Sequence, residues 1–173
     1  MASNTGYITL FDGLSYNLLS TFPAHSAPIR SVTFTSSLLI SGSDDKRINV
    51  FDLKALAGGT SGAARGGGGR SAQVYSLAGH EGWVTCVEAR NDRLLASGSS
   101  DGTIKLYDLN VGGAALTTLR DHRGDCWTLA FAPPDGSQTV QVEGLGGANA
   151  GLGGGKFVSA GEDQTLRWWR AGG

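Results

Sequence analysis

Short runs of the chain alternate with period two. Ile48 and Val50 alternate with Asn49 and Phe51, and Ile104 and Leu106 with Lys105 and Tyr107. Such alternation is the mark of a strand with two unlike faces. Asp45-Lys46, Asp101-Gly102 and Asp163-Gln164 each lie between two such runs, where hairpin turns belong. No twelve-residue window carries a helical stripe. The pattern therefore predicts an all-β chain built from units of four antiparallel strands. In the unit that starts at His80 these are expected at 83–89, 94–99, 103–109 and 115–119.

The units repeat. His25-Ser-Ala-Pro-Ile-Arg-Ser-Val-Thr-Phe34 is followed by a run from Leu38 to Asp52 containing Ser-Gly-Ser-Asp-Asp. His80-Glu-Gly-Trp-Val-Thr-Cys-Val87 is followed by Leu94 to Asp108, and His122-Arg-Gly-Asp-Cys-Trp-Thr-Leu-Ala-Phe131 by Lys156 to Arg170. A partial copy, Gly6-Tyr-Ile-Thr-Leu-Phe-Asp12, opens the chain. The aromatic residues that close each copy are Phe11, Phe51, Tyr107 and Trp169, spaced by 40, 56 and 62 residues. With 40 as the period, the excess lies in two glycine-rich tracts, within 54–72 and 133–155, which hold 15 of the 28 glycines. They bury almost nothing apolar and are expected to be mobile insertions.

Composition narrows the field. The net charge is −1, so no global field draws the chain to nucleic acid or to an anionic membrane, and neither is an expected partner. Cys86 and Cys126 make no disulfide framework, and with three histidines they give no zinc spacing; a reducing intracellular compartment fits them. The first seven residues lack a signal peptide's pattern, and no apolar run reaches membrane-span length. Gly151-Leu-Gly-Gly-Gly-Lys156 resembles a phosphate loop but has Ala150 and Phe157 at two required positions. A single Arg65-Gly-Gly step is weak as an RNA-binding signal.

A period near 40, four strands per unit and a Gly-His to Trp-Asp register resemble the WD40 repeat. The resemblance extends to the histidines (His25, His80, His122), the turn aspartates six residues before each closing aromatic (Asp45, Asp101, Asp163) and the serines four before each aspartate (Ser41, Ser97, Ser159). In that family such side chains form a hydrogen-bond relay inside each propeller blade. The resemblance implies a full relay only in the last copy, as His122, Ser159, Asp163 and Trp169. Phe51 and Tyr107 lack the indole N–H, and Thr5 stands where the opening fragment should have its aspartate. A histidine with a serine and an aspartate invites a catalytic-triad reading. The same trio three times at repeat register favours a structural one. The cysteines read as small filler on first strands, where other copies hold Ser31, Thr128, Ile29 or Val84.

Propellers bind mainly through the loops that enter each blade and the inner hairpin turns. The residues there that the fold does not dictate are Arg30, Asp44, Glu81, Trp83, Ser100, Arg123, Asp125, Trp127 and Glu162. Trp83 and Trp127, ringed by charges, have the composition of a binding hot spot; the plainer reading is that they fill the channel wall. The segment from His25 to Asp45 and the run Val158-Ser-Ala-Gly-Glu-Asp-Gln164 resemble blades of the WD-repeat subunits of superkiller (Ski) complexes. That resemblance implies a seven-bladed, non-catalytic adaptor, cytoplasmic and also nuclear, without cofactor, metal or small-molecule substrate. It implies docking on a tetratricopeptide-repeat scaffold beside an RNA helicase, in a complex that feeds mRNA to the exosome for 3′→5′ decay. A scaffold of another assembly (transcription elongation, chromatin, ubiquitin ligase or trafficking) shares the fold and differs only in face residues; an enzyme is the third reading. The expected layout is a partial blade at 1–24, full blades at 25–79 and 80–121, and a blade lacking its outer strand at 122–173. Seven blades need far more strands than this, so an incomplete propeller is expected, the C-terminal half of a longer product. Its bare strand edges predict aggregation or dependence on a partner.

Overall fold

A computed structural model describes residues 2–57, 72–132 and 156–170. Both glycine-rich tracts fall largely outside these residues, as do Arg65 and most of the phosphate-loop look-alike.

The described residues form four antiparallel sheets. The first pairs β1 (Tyr7–Phe11) with β2 (Leu18–Pro23). The second runs β3 (Ile29–Phe34), β4 (Leu38–Ser43), β5 (Ile48–Asp52), β6 (Gln73–Leu77) in spatial order. The third repeats it with β7 (Val84–Ala89), β8 (Leu94–Ser99), β9 (Ile104–Asp108) and β10 (Ala115–Leu119). The fourth has β11 (Cys126–Phe131), β12 (Lys156–Gly161) and β13 (Leu166–Arg170). The first strands of successive sheets neighbour one another, β3 against β7 and β7 against β11, so the sheets fan out from an inner edge. Among the described residues they form an unclosed series, an incomplete propeller.

Apolar side chains fill the gaps between sheets. Ile8 and Phe22 of the first sheet pack with Leu39 and Phe51 of the second, the Phe22 and Phe51 ring centroids 5.2 Å apart. Ile40, Val50 and Leu77 meet Val84, Val87 and Leu95. Leu94, Ala96 and Ile104 meet Cys126, Leu129 and Phe157. Burying each large aliphatic or aromatic side chain contributes about 1.5–3 kcal/mol. At the end of the sheets away from the histidines, the Ser36 and Thr35 hydroxyls donate to the Asp92 carboxylate and tie the second sheet to the third.

Among the described residues a short helical segment after β5 departs from the all-strand expectation. Leu53–Ala57 forms a single helical turn, α1. Asp52 starts it, its Oδ1 accepting from the N–H groups of Lys54 (2.7 Å) and Ala55 (3.0 Å), as a side-chain cap does. Leu56 and Ala72, assigned from sequence to an insertion that buries little, are both in the core beside Phe22 and Phe51. A five-residue turn is too short to give a periodic signal, which is why the sequence pattern misses it.

Candidate functional site

Three identical clusters sit at one end of the second, third and fourth sheets. In each, the hairpin after the second strand places an aspartate beside the histidine that precedes the first strand. The turns close with left-handed residues just after the aspartate: Lys46 (φ 67°), Gly102 (φ 74°) and Gln164 (φ 59°). His25 Nδ1 lies 2.9 Å from Asp45, His80 Nδ1 3.0 Å from Asp101, and His122 Nδ1 3.0 Å from Asp163. The other ring nitrogens lie 2.8, 2.8 and 2.7 Å from the hydroxyls of Ser41, Ser97 and Ser159. In the fourth sheet the Trp169 indole N–H donates to Ser159 Oγ at 2.8 Å.

The carboxylates hold two loops at once. Each accepts from the backbone N–H after its histidine (Ser26, Glu81 or Arg123) and from the N–H two residues further along its own turn (Arg47, Thr103 or Thr165). Burial alone would raise the pKa of Asp101. Hydrogen bonds from Thr103, from the Glu81 N–H and from His80 outweigh it and keep the carboxyl well below the usual range. Burial lowers the pKa of His25 and His80, and their aspartates only partly offset this. An ionised carboxylate can only accept, so the histidine Nδ1 carries the proton and Nε2 accepts from the serine hydroxyl. This order of hydrogen bonds is also that of a catalytic triad, but here the serine hydroxyls are buried with the rings (Ser41 0%, Ser97 0% and Ser159 1% exposed) rather than presented to solvent. Among the described residues no group of three or more histidine, cysteine or carboxylate side chains could hold a metal ion.

Tyr107, at the position of Trp169, is buried with no hydrogen-bond partner for its hydroxyl. Burial pushes its pKa up to about 12, against a small opposing pull from nearby Ser97. Phe51 presents no polar atom there. Thr5, in the opening fragment, bonds to the Ser3 hydroxyl.

Most of the residues left free by these clusters fall into two groups. Arg30, Asp44, Trp83 and Ser100 come together. The Arg30 guanidinium makes a two-pronged bond to Asp44 (2.8 and 2.7 Å) and lies 5.6 Å from the centroid of the Trp83 ring on the next sheet. The Trp83 N–H donates to Ser100 Oγ at 2.8 Å, while its side chain leaves the residue 51% exposed. Glu81 is exposed beside them. Arg123, Asp125 and Glu162 form a second group on the fourth sheet, where Glu162 accepts from the Asp125 N–H. An open cleft of about 330 Å³, lined by Ser100, Asp101, Gly102, His122, Arg123 and Gly124, lies between the third and fourth sheets.

Trp127 is on β11, at the register that Arg30 occupies on β3. It is the extra residue of a β-bulge. The ladder skips one residue at the same place in each sheet: Arg30 between Ile29 and Ser31, Thr85 between Val84 and Cys86, Trp127 between Cys126 and Thr128. A bulge re-aims its side chain. Arg30 and Thr85 both reach the following sheet, Arg30 to Trp83 and the Thr85 hydroxyl to the Cys126 carbonyl. Trp127, 57% exposed, is by this register on the flank of the fourth sheet that faces away from the third. Nothing in a single copy of the sequence marks the skipped residue; it shows only as a repeated break in the pairing.

The family model described as "WD domain, G-beta repeat" matches residues 16–52, 71–108 and 113–170, most of the chain. This chain belongs to the WD40 family. A solved structure described as the computationally designed Ika4 protein has the same fold, with a TM-score of 0.71 and 22% identity over 99% of this chain and 83% of its own. WD40 repeats generally serve as non-catalytic scaffolds for protein–protein interaction. Within that architecture the buried histidines link the loop before each first strand to the turn after the second and to the second strand's serine.

Proposed function

We propose that this chain is a non-catalytic adaptor that holds protein partners through the loop face centred on Trp83. The observation that carries this reading is the way Trp83 is held. Its backbone is fixed by Ser100, and the Arg30 guanidinium, itself clamped by Asp44, leans on the ring from the neighbouring sheet. A large aromatic side chain that is half exposed and immobilised loses little entropy on binding, which is how hot-spot residues gain their weight. Glu81, Arg123, Asp125 and Glu162 supply a charged surround. The finer assignment is to a superkiller-type assembly, with a tetratricopeptide-repeat scaffold and an RNA helicase as partners, assisting exosome-dependent 3′→5′ mRNA decay in the cytoplasm and acting also in the nucleus. It rests on the resemblance of the segments beginning at His25 and Val158 to blades of those subunits.

Affinity purification of the tagged chain from its own cells tests both levels. Recovery of a tetratricopeptide-repeat scaffold with a helicase supports the finer assignment; recovery of histone, ubiquitin-ligase or trafficking machinery replaces it with the other scaffold reading. Trp83→Ala should weaken capture by at least about 2 kcal/mol, the scale of a hot-spot truncation, without lowering the melting temperature. Trp127→Ala should leave capture intact. Undiminished capture by Trp83→Ala would show that the face is elsewhere.

A further inference from the structure

The two cysteines are separate in sequence and adjacent in space. Cys86 is on β7 and Cys126 on β11, the inner strands of neighbouring sheets, and both are buried. A Cβ added to Gly98 would lie 2.6 Å from each sulfur, so the two sulfurs flank one small site that exists because position 98 has no side chain. The preceding interface holds Ser31 and Val84 at the same two registers, with Gly42 in place of Gly98. There the Ser31 hydroxyl accepts from the Val87 N–H, and Val84 fills the space over Gly42. The repeat therefore needs no sulfur at either position, and both thiols occur at one interface.

We propose that Cys86 and Cys126 form a redox-sensitive dithiol whose oxidation by a peroxide joins the third and fourth sheets through a disulfide. The two sulfurs are not equivalent. Cys86 is 7% exposed and Cys126 is fully buried, so the oxidant meets Cys86 first. The neighbouring Cys126 thiol lowers the pKa of Cys86, against the effect of burial; the Cys86 thiol, with burial, raises that of Cys126. In the first step the Cys86 thiolate attacks a peroxide oxygen, the O–O bond breaks, and hydroxide leaves a sulfenic acid on Cys86. In the second, the Cys126 sulfur gives up its proton and attacks the Cys86 sulfur; the S–S bond forms, the S–O bond breaks, and the oxygen leaves as water. Two thiols and one hydrogen peroxide thus give one disulfide and two waters. Closing the bond brings the sulfurs to about 2.05 Å, and the absent Cβ of Gly98 leaves them room to move.

The full chain is treated with hydrogen peroxide, quenched and mapped by mass spectrometry, folded and in guanidinium. The folded chain should lose the mass of two hydrogen atoms and yield a Cys86–Cys126 crosslinked peptide at least about tenfold faster than the unfolded chain, because the fold holds the sulfurs together. Its melting temperature should rise on oxidation and return with a dithiol reductant. Cys86→Ser and Cys126→Val place at each position the residue that the repeat itself uses in the preceding sheet, so both should fold. Neither should crosslink, and Cys126→Val should accumulate a sulfenic acid on Cys86 that dimedone traps. Two free thiols after treatment, a crosslink that forms no faster in the folded chain, or crosslinks between chains alone would overturn the proposal.

Discussion

The third and fourth sheets carry the same histidine, serine and aspartate but finish them differently. In the fourth, the Trp169 N–H donates to Ser159; in the third, the Tyr107 hydroxyl is buried beside Ser97 and bonds to nothing. The second sheet ends in Phe51 and has no polar atom to satisfy. Yet the histidine-to-aspartate distances are 3.0, 3.0 and 2.9 Å in the fourth, third and second sheets, and the histidine-to-serine distances 2.7, 2.8 and 2.8 Å. The closing aromatic therefore does not set the geometry of the trio. The turn does, through a carboxylate that binds the backbone of two loops. What the aromatic decides is packing: Phe51 and Tyr107 are each about 1% exposed, whereas Trp169 is half-buried and stacks on Phe157 at 6.0 Å. The indole completes the hydrogen bonding on the sheet whose aromatic is least enclosed.

That contrast can be broken most forcefully by removing the buried ring. Phe51→Ala should cost about 3–5 kcal/mol in chemical denaturation, the range for truncating a buried aromatic. Trp169→Ala should cost less, because its ring is already partly in solvent; equal costs would mean that enclosure is not what separates the sheets. Cutting the carboxylate comes next. Asp101→Ala leaves the His80 ring, the Glu81 and Thr103 N–H groups and the Thr103 hydroxyl without their acceptor. A loss of about 2–4 kcal/mol is expected from several orphaned donors at once.

Acid sharpens the comparison further. The folded pKa values of His25 and His80 lie below the ordinary 6.5, so between the two values the unfolded chain binds protons that the folded chain does not. Stability is then fully present above pH 6.5 and falls as pH drops below it. Asp101 acts in the same direction lower down: its folded pKa is depressed, so its contribution is present above the ordinary aspartate value of 3.8 and is lost below it. Denaturant titrations from pH 8 to 5 should show the decline, and His80→Gln should flatten it. The smallest effects concern single polar atoms. Trp169→Phe should cost about 1 kcal/mol for the lost donation to Ser159. Tyr107→Phe, which removes an unsatisfied buried hydroxyl, should be neutral or stabilising by up to about 1 kcal/mol. A large loss from Tyr107→Phe would show that the hydroxyl has a partner after all.

Much of this architecture is written in single-residue landmarks. Histidine, serine, aspartate and aromatic recur at fixed offsets, and strands expected at 94–99 and 115–119 are Leu94–Ser99 and Ala115–Leu119. Period-two patterning and turn residues act within one sheet, so one sheet's sequence reveals them. What the sequence hides depends on two sheets at once. That Arg30 and Thr85 are bulged, and so aimed at the following sheet, appears only in the pairing register. That Cys86 and Cys126 share a site depends on how β7 meets β11 over Gly98. The short helix at Leu53–Ala57 is likewise a local cap effect too brief for periodicity.

If the three histidines are internal fastenings rather than working groups, the proton positions on their rings report it directly. Nitrogen-15 NMR of the imidazoles near neutral pH should show His25, His80 and His122 each as the Nδ1–H tautomer, with Nδ1 protons that exchange slowly and hydrogen-bond to the aspartates. Rings that carry the proton on Nε2, or whose Nδ1 protons exchange as freely as those of a solvent-exposed histidine, would contradict it.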